Sequence, residues 1–206
     1  MENIVNIYLI RHGMTHGNTE RRYIGSRTDE PLCEQGIKEL MISADKIRSE
    51  IACDVDEVTL FCSPMKRCIK TAEILFPGTE QRIIPELREM DFGDFEGKNY
   101  TELNGVPEYQ KWIEAGGMTG FPGGEDRGTF FGRMITALSI IMQNISDNNI
   151  IVCHGGSIMA IMSYLTGGNY FDYQVGNGEG YSLKIRVRDN GLDVESYTRI
   201  CTGISD

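Results

Sequence analysis

The chain has 206 residues, with 20 lysines and arginines against 30 aspartates and glutamates, so its net charge is −10. That sign disfavours a protein that grips nucleic acid or an anionic membrane over a broad face. Apolar residues make up 40% of the chain and charged residues 24%, which is typical of a folded globular protein. The length predicts one domain, with a modest insertion and a core that needs no metal or disulfide.

Cysteines stand at positions 33, 53, 62, 68, 153 and 201, and no two of them have CxxC spacing. The first residues do not resemble a signal peptide, and no apolar run is long enough to predict a membrane-spanning helix. We therefore expect reduced thiols and a cytoplasmic location.

Short apolar runs alternate with helical periodicities in the first part of the chain. The run 4–10 predicts a buried strand that ends at Arg11-His12-Gly13. Apolar residues at spacings of three and four predict a helix over 34–50. A second strand is predicted over 58–61, followed by a helix through Leu75 with Ser63 as its N-cap and Pro64 as its first residue.

The rest of the chain continues the alternation, apart from one stretch. A helix over 127–146 precedes a third strand over 150–153 and a helix through Leu165, and the tail predicts a hairpin of 181–188 and 192–201 around Asp189-Asn190-Gly191. This order predicts a three-layer α/β/α sandwich with a mostly parallel central sheet. The Gly-rich stretch at about 99–128 breaks the pattern. We expect one domain over 1–206 in which this stretch is a capping insertion.

Histidines and arginines follow the predicted strands. Arg11 and His12 come after the first strand, Arg67 shortly after the second, and His154 after the third. In open α/β sheets, ligands bind beyond the carboxyl ends of the strands. Two imidazoles and two forked guanidiniums at one edge predict a pocket for a compact anion, and phosphate suits it best. A neutral imidazole among arginines can attack phosphorus, and a carboxylic acid must then protonate the leaving alkoxide.

Simpler interpretations exist for the same residues. A single histidine after a strand is more often structural than catalytic. His12 and His16 have a spacing that zinc could use, but the glycines beside them disfavour a helix and no third ligand follows. Cys153 ends an apolar strand and is interpreted as buried filler rather than as a thiol nucleophile.

Five blocks in order resemble the histidine phosphatase superfamily, in its phosphoglycerate-mutase-like branch. They are Leu9–Asn18, Cys62–Glu73, Leu87–Gly97, Pro122–Glu125 and Val152–Gly156, with Arg22, Gly25, Asp29 and Pro31-Leu32 between the first two. The resemblance covers residues 5 to about 165, and the last 40 residues add little. Departures from the family pattern occur at Cys33, Lys38-Glu39-Leu40, Cys62 and Phe95, none of which is a proposed catalytic group.

The resemblance implies a role for each residue of the pocket. His12 would be the phosphorylated nucleophile, and Glu89 would protonate the leaving group and then activate water. Spacing alone would not select Glu89 over Glu86 or Glu96. No metal and no organic cofactor is implied. Contacts to the phosphate are implied for Arg11, Asn18, Gly25, Arg67, His154 and the backbone N–H of Gly155.

The fate of the phosphohistidine separates the candidate reactions. Water as acceptor makes a phosphatase, and a second hydroxyl of a retained phosphoglycerate makes a mutase. The segment 97–122 is short beside the mutases that the chain resembles, so we expect hydrolysis of a small-molecule phosphate ester. The third block also resembles α-ribazole-5′-phosphate phosphatases of cobalamin assembly.

Two further questions stay open in the sequence. A catalytically silent phosphate-binding module remains an alternative to an enzyme, whereas a nucleic-acid binder is disfavoured by the charge. Specificity is expected from residues 99–128. There, substrate walls and internal packing are equally good interpretations of Tyr100, Tyr109, Trp112 and Phe121.

Overall fold

The computed structural model describes residues 3–51, 57–117, 119–188 and 191–203. Within these residues the strands are β1 (Asn3–Arg11), β2 (Val58–Cys62), β3 (Gln81–Ile83), β4 (Asn148–Cys153), β5 (Gly180–Arg188) and β6 (Gly191–Ile200). They form a six-stranded sheet in the order β3-β2-β4-β1-β5-β6. The neighbours from β3 to β1 are parallel, while β5 is antiparallel to both β1 and β6.

Helices connect the parallel strands and cover both faces of the sheet. They are α1 (His16–Thr19), α2 (Glu34–Ser49), α3 (Lys66–Leu75), α4 (Tyr100–Leu103), α5 (Pro107–Glu114), α6 (Arg127–Met142) and α7 (Gly155–Thr166). Short 3₁₀ turns lie at Pro85–Leu87, Gly93–Phe95 and Tyr170–Tyr173. None of the helices in the described ranges is both long and apolar enough to cross a bilayer.

The period-two alternation of β1 divides the interior into two cores. Ile7 and Leu9 pack with α6 and α7 on one face, whereas Tyr8 and Ile10 pack with α2 and α3 on the other. All four of these strand residues are 0–1% exposed, because helices cover both faces of the strand. The predicted three-layer α/β/α sandwich with a mostly parallel sheet is confirmed.

The predicted start of the helix after β2 is wrong. The helix begins at Lys66, with Met65 at the N-cap making no side-chain cap hydrogen bond. The Ser63 hydroxyl that was expected to cap it lies 2.8 Å from Nε2 of His154 instead. The hydroxyl of Ser63 therefore bonds to His154, at the end of a neighbouring strand, and does not cap the helix as the local sequence had predicted.

Two other predicted elements differ in extent. The helix predicted over 127–146 ends at Met142. The two tail strands pair as the predicted hairpin, with Arg188 opposite Gly191. Asp189 and Asn190 of the predicted turn lie outside the described residues.

The sheet order brings three strand ends to one edge. β4 lies between β1 and β2, and all three run in the same direction. Arg11 is in register with Cys153, and Cys62 with Val152, so the residues that follow these strands meet at a single edge.

The stretch 99–128 is tied to the segment that follows β1. Arg22 donates to Glu102 at 2.6 Å, and Arg27 donates to the carbonyl of Gly123. These two contacts hold the stretch beside the edge where the strands end. The same arginines also contact the segment before it, Arg22 at the carbonyl of Gly97 (2.6 Å) and Arg27 at Asp91 (2.8 Å).

Candidate active site

The imidazole of His12 lies just beyond β1 and is 4% exposed. Its Nδ1 is 2.7 Å from the carbonyl oxygen of Gly13, which can only accept, so Nδ1 carries the proton and donates. Nε2 is therefore the nitrogen with the free lone pair. Burial, followed by the charges of Arg67 and Arg11, lowers the pKa of His12 well below its usual value. The ring is thus neutral in the folded protein.

Arg11 supplies an unsatisfied donor to the same edge. Its Nη1 donates to the carbonyl of Val175 at 2.7 Å, which anchors the guanidinium. Its Nε is buried and has no hydrogen-bond partner among the described residues. A buried N–H without an acceptor is costly, so this atom fits an anion oxygen.

Arg67 stands behind His12 at the start of α3 and is 0% exposed. Nη1 donates to the carbonyl of Thr28 at 2.9 Å and Nη2 to that of Gly25 at 3.0 Å. Nε donates to Nδ1 of His154 at 3.3 Å. Because a guanidinium has five N–H groups, two remain for other acceptors. Burial is the main cause of the lowered pKa of both imidazoles, and the charge of Arg67 lowers it further.

His154 is also fully buried, and both of its ring nitrogens have protein partners. Nδ1 accepts from Arg67, so Nε2 carries the proton and donates to Oγ of Ser63 at 2.8 Å. Burial and the Arg67 charge lower the pKa of His154 well below its usual value. Its ring centroid lies 5.2 Å from that of His12 in an edge-to-face contact. This places it as a neutral ring packed against the imidazole of His12.

The amide of Asn18 is oriented by two donors. Its Oδ1 accepts from the backbone N–H of Thr15 at 3.1 Å and from Nδ2 of Asn177 at 3.1 Å. Asn177 also donates to the carbonyl of His12 at 3.0 Å. Asn18 lines a cavity at this edge of the sheet. Because its Oδ1 already accepts two hydrogen bonds, its NH₂ group is the part of the amide that can bind a ligand there.

Glu89 provides a carboxyl group beside the imidazole site and is 7% exposed. Oε1 accepts from the N–H of Met90 at 2.9 Å, and Oε2 from the N–H of Gly156 at 3.0 Å. Burial raises the pKa of Glu89, and these two hydrogen bonds only partly oppose it. The carboxyl can therefore hold a proton at a higher pH than an exposed glutamate and release it nearby.

These groups surround a cavity of about 360 Å³ at the sheet edge. Of the predicted site residues, the cavity wall contains Arg11, His12, Asn18, Glu89 and Gly155. Arg67 and His154, for which phosphate contacts were also predicted, are 0% exposed and are not part of this wall. Gly25 is not part of it either; its carbonyl accepts from Arg67, and its N–H donates to Glu96 at 2.9 Å.

Several wall residues were missed in the sequence. Tyr23 and Met159 belong to none of the five blocks, and Arg22 lies between the first two blocks and had been given no role. Gln174 and Val175 come from the loop before β5, in the last 40 residues, where no motif signals a site. Only the tertiary fold brings this loop to β1, where Gly178 N–H donates to the carbonyl of Arg11 at 3.1 Å.

The aromatic residues of the 99–128 stretch divide into two groups. Trp112 and Phe121 line a second cavity that shares Glu89 with the first. Tyr109 is 6% exposed and packs in the core, and Tyr100 is 57% exposed. Tyr109 therefore serves internal packing, Trp112 and Phe121 are placed where a substrate wall was predicted, and Tyr100 is part of neither cavity wall.

The possible zinc site gains no support from the geometry. His16 is exposed on α1, whereas His12 is buried. Across the described ranges, histidine, cysteine and carboxylate side chains nowhere gather as a group of three that could hold a metal ion. Cys153 is 0% exposed, and burial raises the pKa of its thiol well above the usual value.

The fold defines an α/β protein, and the carboxyl edge of its sheet carries a neutral imidazole beside two arginines. The histidine phosphatase superfamily (branch 1) matches residues 7–198, and the chain belongs to this family. A Hydrogenobacter thermophilus protein provisionally named phosphoserine phosphatase 2 is 29% identical over 165 residues, 78% of either chain. A Proteus mirabilis protein provisionally named phosphoglycerate mutase is 29% identical over 169 residues, 80% of this chain and 76% of that protein.

A solved structure shows the same likeness over nearly the whole chain. The α-ribazole phosphatase from Shigella flexneri superimposes with a TM-score of 0.77 and 25% sequence identity. The match covers 98% of this chain and 99% of that one. The chain is thus similar both to proteins named as phosphatases and to proteins named as mutases.

Proposed function

We propose that the protein is a metal-independent phosphomonoesterase that hydrolyses a small-molecule phosphate ester through a phosphohistidine at His12. The observation that carries this proposal is the tautomer of His12. Its Nδ1–H is bound to the carbonyl of Gly13, so Nε2 is a neutral nucleophile in a ring that lines the anion cavity. The carbonyl of Gly13 also stabilises the positive charge that the ring gains on attack.

In the first step, the Nε2 lone pair of His12 forms a bond to phosphorus while the bond from phosphorus to the ester oxygen breaks. Glu89 gives its proton to that oxygen, which leaves as a neutral alcohol. The non-bridging oxygens are held by the unpaired Nε of Arg11, the NH₂ of Asn18 and the backbone at Gly155. Arg67 and His154 act from behind by holding the nucleophile in position.

In the second step, the ionised Glu89 takes a proton from water, and the water oxygen attacks phosphorus. The bond from phosphorus to Nε2 breaks, its electron pair returns to His12, and phosphate leaves. Glu89 is again protonated, so the cycle closes. One carboxyl thus serves as acid and then as base, which its raised pKa favours.

The space beside Glu89 favours hydrolysis over a mutase reaction. A mutase must hold a charged phosphoglycerate while its second hydroxyl attacks. The second cavity, in contrast, is walled largely by aromatic side chains such as Phe92, Trp112 and Phe121.

α-Ribazole 5′-phosphate is the first substrate to test, since a similar chain from Shigella flexneri is named α-ribazole phosphatase. We also propose that 99–128 is a capping insertion within a single domain.

Turnover with a metal chelator present tests the proposal. The purified protein should hydrolyse p-nitrophenyl phosphate in EDTA, and His12→Ala should abolish turnover. A panel of α-ribazole 5′-phosphate, 3-phosphoglycerate and simple sugar phosphates, with products identified, separates hydrolysis from isomerisation. Phosphate binding without turnover would identify the silent binding module, and undiminished activity of His12→Ala would refute the mechanism.

A further inference from the structure

The segment that carries Glu89 belongs to no helix or strand. Residues 88–92 lie between two 3₁₀ turns, so the hydrogen bonds of regular secondary structure do not fix the backbone of Glu89. A catalytic group must be held within about 0.5 Å of its productive position. The backbone of this segment therefore needs support from other parts of the protein.

Arg133 of α6 supplies that support with every N–H group of its guanidinium. Nη1 donates to the carbonyls of Glu86 and Arg88, each at 2.7 Å, and Nη2 donates to the carbonyl of Glu89 at 3.1 Å. The other two N–H groups bind the carboxylate of Glu125, Nε at 2.9 Å and Nη2 at 2.6 Å. Because a guanidinium has five N–H groups in one rigid plane, these five contacts fix its orientation.

Glu125 extends this support to the other side of Glu89. Its Oε2 also accepts from the N–H of Asp91 at 2.9 Å, and its own N–H donates to the carbonyl of Asp91 at 2.9 Å. The side chains of Arg133 and Glu125 are only 15% and 17% exposed, so their forked ion pair is largely shielded from water. The fourth family block, which ends at Glu125, thus binds the backbone two residues beyond Glu89.

The carboxyl group of Glu89 is held from a different helix. Its Oε2 accepts from the N–H of Gly156 at the start of α7, whereas its backbone carbonyl accepts from Arg133 of α6. A shift of this backbone would therefore move the carboxyl relative to Gly156 and to the imidazole of His12. Arg133 is not part of the wall of either cavity, so it acts on a substrate only through Glu89.

We propose that Arg133, paired with Glu125, is a positioning residue for the acid Glu89. Its guanidinium binds the carbonyl of Glu89 and two carbonyls just before it, and so fixes the distance from the carboxyl to the leaving oxygen. Lysine at position 133 would keep the charge, but its three N–H groups share one nitrogen and do not span Glu125 and all three carbonyls. The inference rests on the proposed phosphomonoesterase function, in which Glu89 protonates the leaving group.

Two esters that differ in their need for an acid test the proposal. Ethyl phosphate releases an alkoxide that needs a proton from Glu89, whereas p-nitrophenyl phosphate releases a phenolate that leaves with little help. We expect Arg133→Lys to lower kcat/KM about tenfold or more for ethyl phosphate, which is part of the roughly 10²–10⁴-fold that a well-placed acid supplies. The loss for p-nitrophenyl phosphate should be less than about threefold. Equal losses on the two esters would overturn the proposal.

Arg48→Lys is the matched control for the substitution. Arg48 on α2 likewise binds a carboxylate, that of Asp45, and a backbone carbonyl, that of Leu75 at 2.8 Å, and none of these belongs to the site. The ratio of kcat/KM for the two esters should be unchanged in this variant. Added to Glu89→Gln, Arg133→Lys should cause little further loss on ethyl phosphate, and a further tenfold loss would overturn the proposal.

Glu125→Gln keeps the proposal falsifiable should Arg133→Lys fail to fold. The amide has the shape of the carboxylate but a single acceptor oxygen, so it loses at least one of the bonds that hold Arg133 and Asp91. We expect kcat/KM to fall about fivefold for ethyl phosphate and to change little for p-nitrophenyl phosphate. A loss of the same size on both esters would refute the positioning role.

Turnover by the wild-type protein separates this inference from the function on which it rests. If p-nitrophenyl phosphate is hydrolysed and His12→Ala is inactive, an unselective loss in Arg133→Lys overturns only the positioning role. If the wild-type protein hydrolyses neither ester, the proposed function is refuted, and the positioning role with it.

Discussion

Gly156 is the position where a single methyl group should disable the proposed acid and spare the nucleophile. A Cβ at Gly156 would overlap Oε1 of Glu89, and it would lie 3.1 Å from the carboxyl carbon. The backbone of Gly156 does not have a positive φ, so alanine is compatible with the start of α7. The change therefore acts on the carboxylate and not on the helix.

The expected loss of kcat/KM follows from the distance that the carboxylate of Glu89 must move. Ordinary contact begins near 3.4 Å, so Oε1 must move by about 1 Å. A displacement of about 1 Å can cost roughly 100-fold in rate. We expect Gly156→Ala to lower kcat/KM about 100-fold for an alkyl phosphate and less than about tenfold for p-nitrophenyl phosphate, because a phenolate leaves with little help from an acid.

The assay uses kcat/KM because this constant reports the steps up to departure of the alcohol, before Glu89 acts as a base. Gly132→Ala is the matched control, because nothing lies within 4 Å of its new methyl group, and its activity should not change. Combined with Glu89→Gln, Gly156→Ala should add almost no further loss. An equal loss on both esters, or full additivity with Glu89→Gln, would contradict Glu89 as the acid.

Three more predictions concern the supports of the site. Ser63→Ala leaves the buried Nε2–H of His154 with only the weak acceptor Sγ of Cys68, at 3.5 Å, and should cost about 1–3 kcal/mol in urea unfolding. Ser139→Ala on the exposed side of α6 should change stability by less than about 0.5 kcal/mol. Asn177→Ala removes one of the two donors that orient the amide of Asn18 and should raise the Ki for inorganic phosphate about fivefold. A further rise of the same size when it is added to Asn18→Ala would exclude an effect through Asn18. The folded pKa of His12 is lowered, so below about pH 6.5 unfolding takes up a proton and stability falls as the pH falls. Between pH 6 and 5, His12→Gln should reduce the pH dependence of the free energy of unfolding by up to about 1.4 kcal/mol per pH unit. The same pH dependence in the variant and the wild-type protein would contradict a neutral His12.

The strand ends could be predicted because the pattern that marks a buried parallel strand is local. The apolar run before Arg11 and the run before His154 each predict a strand, and parallel strands share an edge whatever their order. What could not be predicted is how deeply each side chain at that edge is buried. Arg67 and His154 are 0% exposed and bond to each other. Their other partners are the hydroxyl of Ser63 and the carbonyls of Gly25 and Thr28, which only the tertiary fold brings to these two side chains.

Other differences arise where one residue satisfies two patterns. Ser63 before Pro64 fits a helix cap, and only the position of His154 on another strand shows that its hydroxyl bonds elsewhere. Tyr109 and Trp112 are three residues apart on α5, yet Trp112 lines the second cavity beside Glu89 and Tyr109 does not. Periodicity assigns both to one helix face, and both rings pack against Tyr23 and Phe95. Only the position of the cavity in the folded protein therefore separates them.

Rapid acid-free quenching of the protein during turnover, followed by mass spectrometry of its peptides, tests the central claim most directly. The peptide that contains His12 should carry one PO₃ group in the wild-type protein, stable to base and lost in acid, and should carry none in His12→Ala. A phosphoryl group found on any other residue, or labelling that persists in His12→Ala, would contradict the phosphohistidine route.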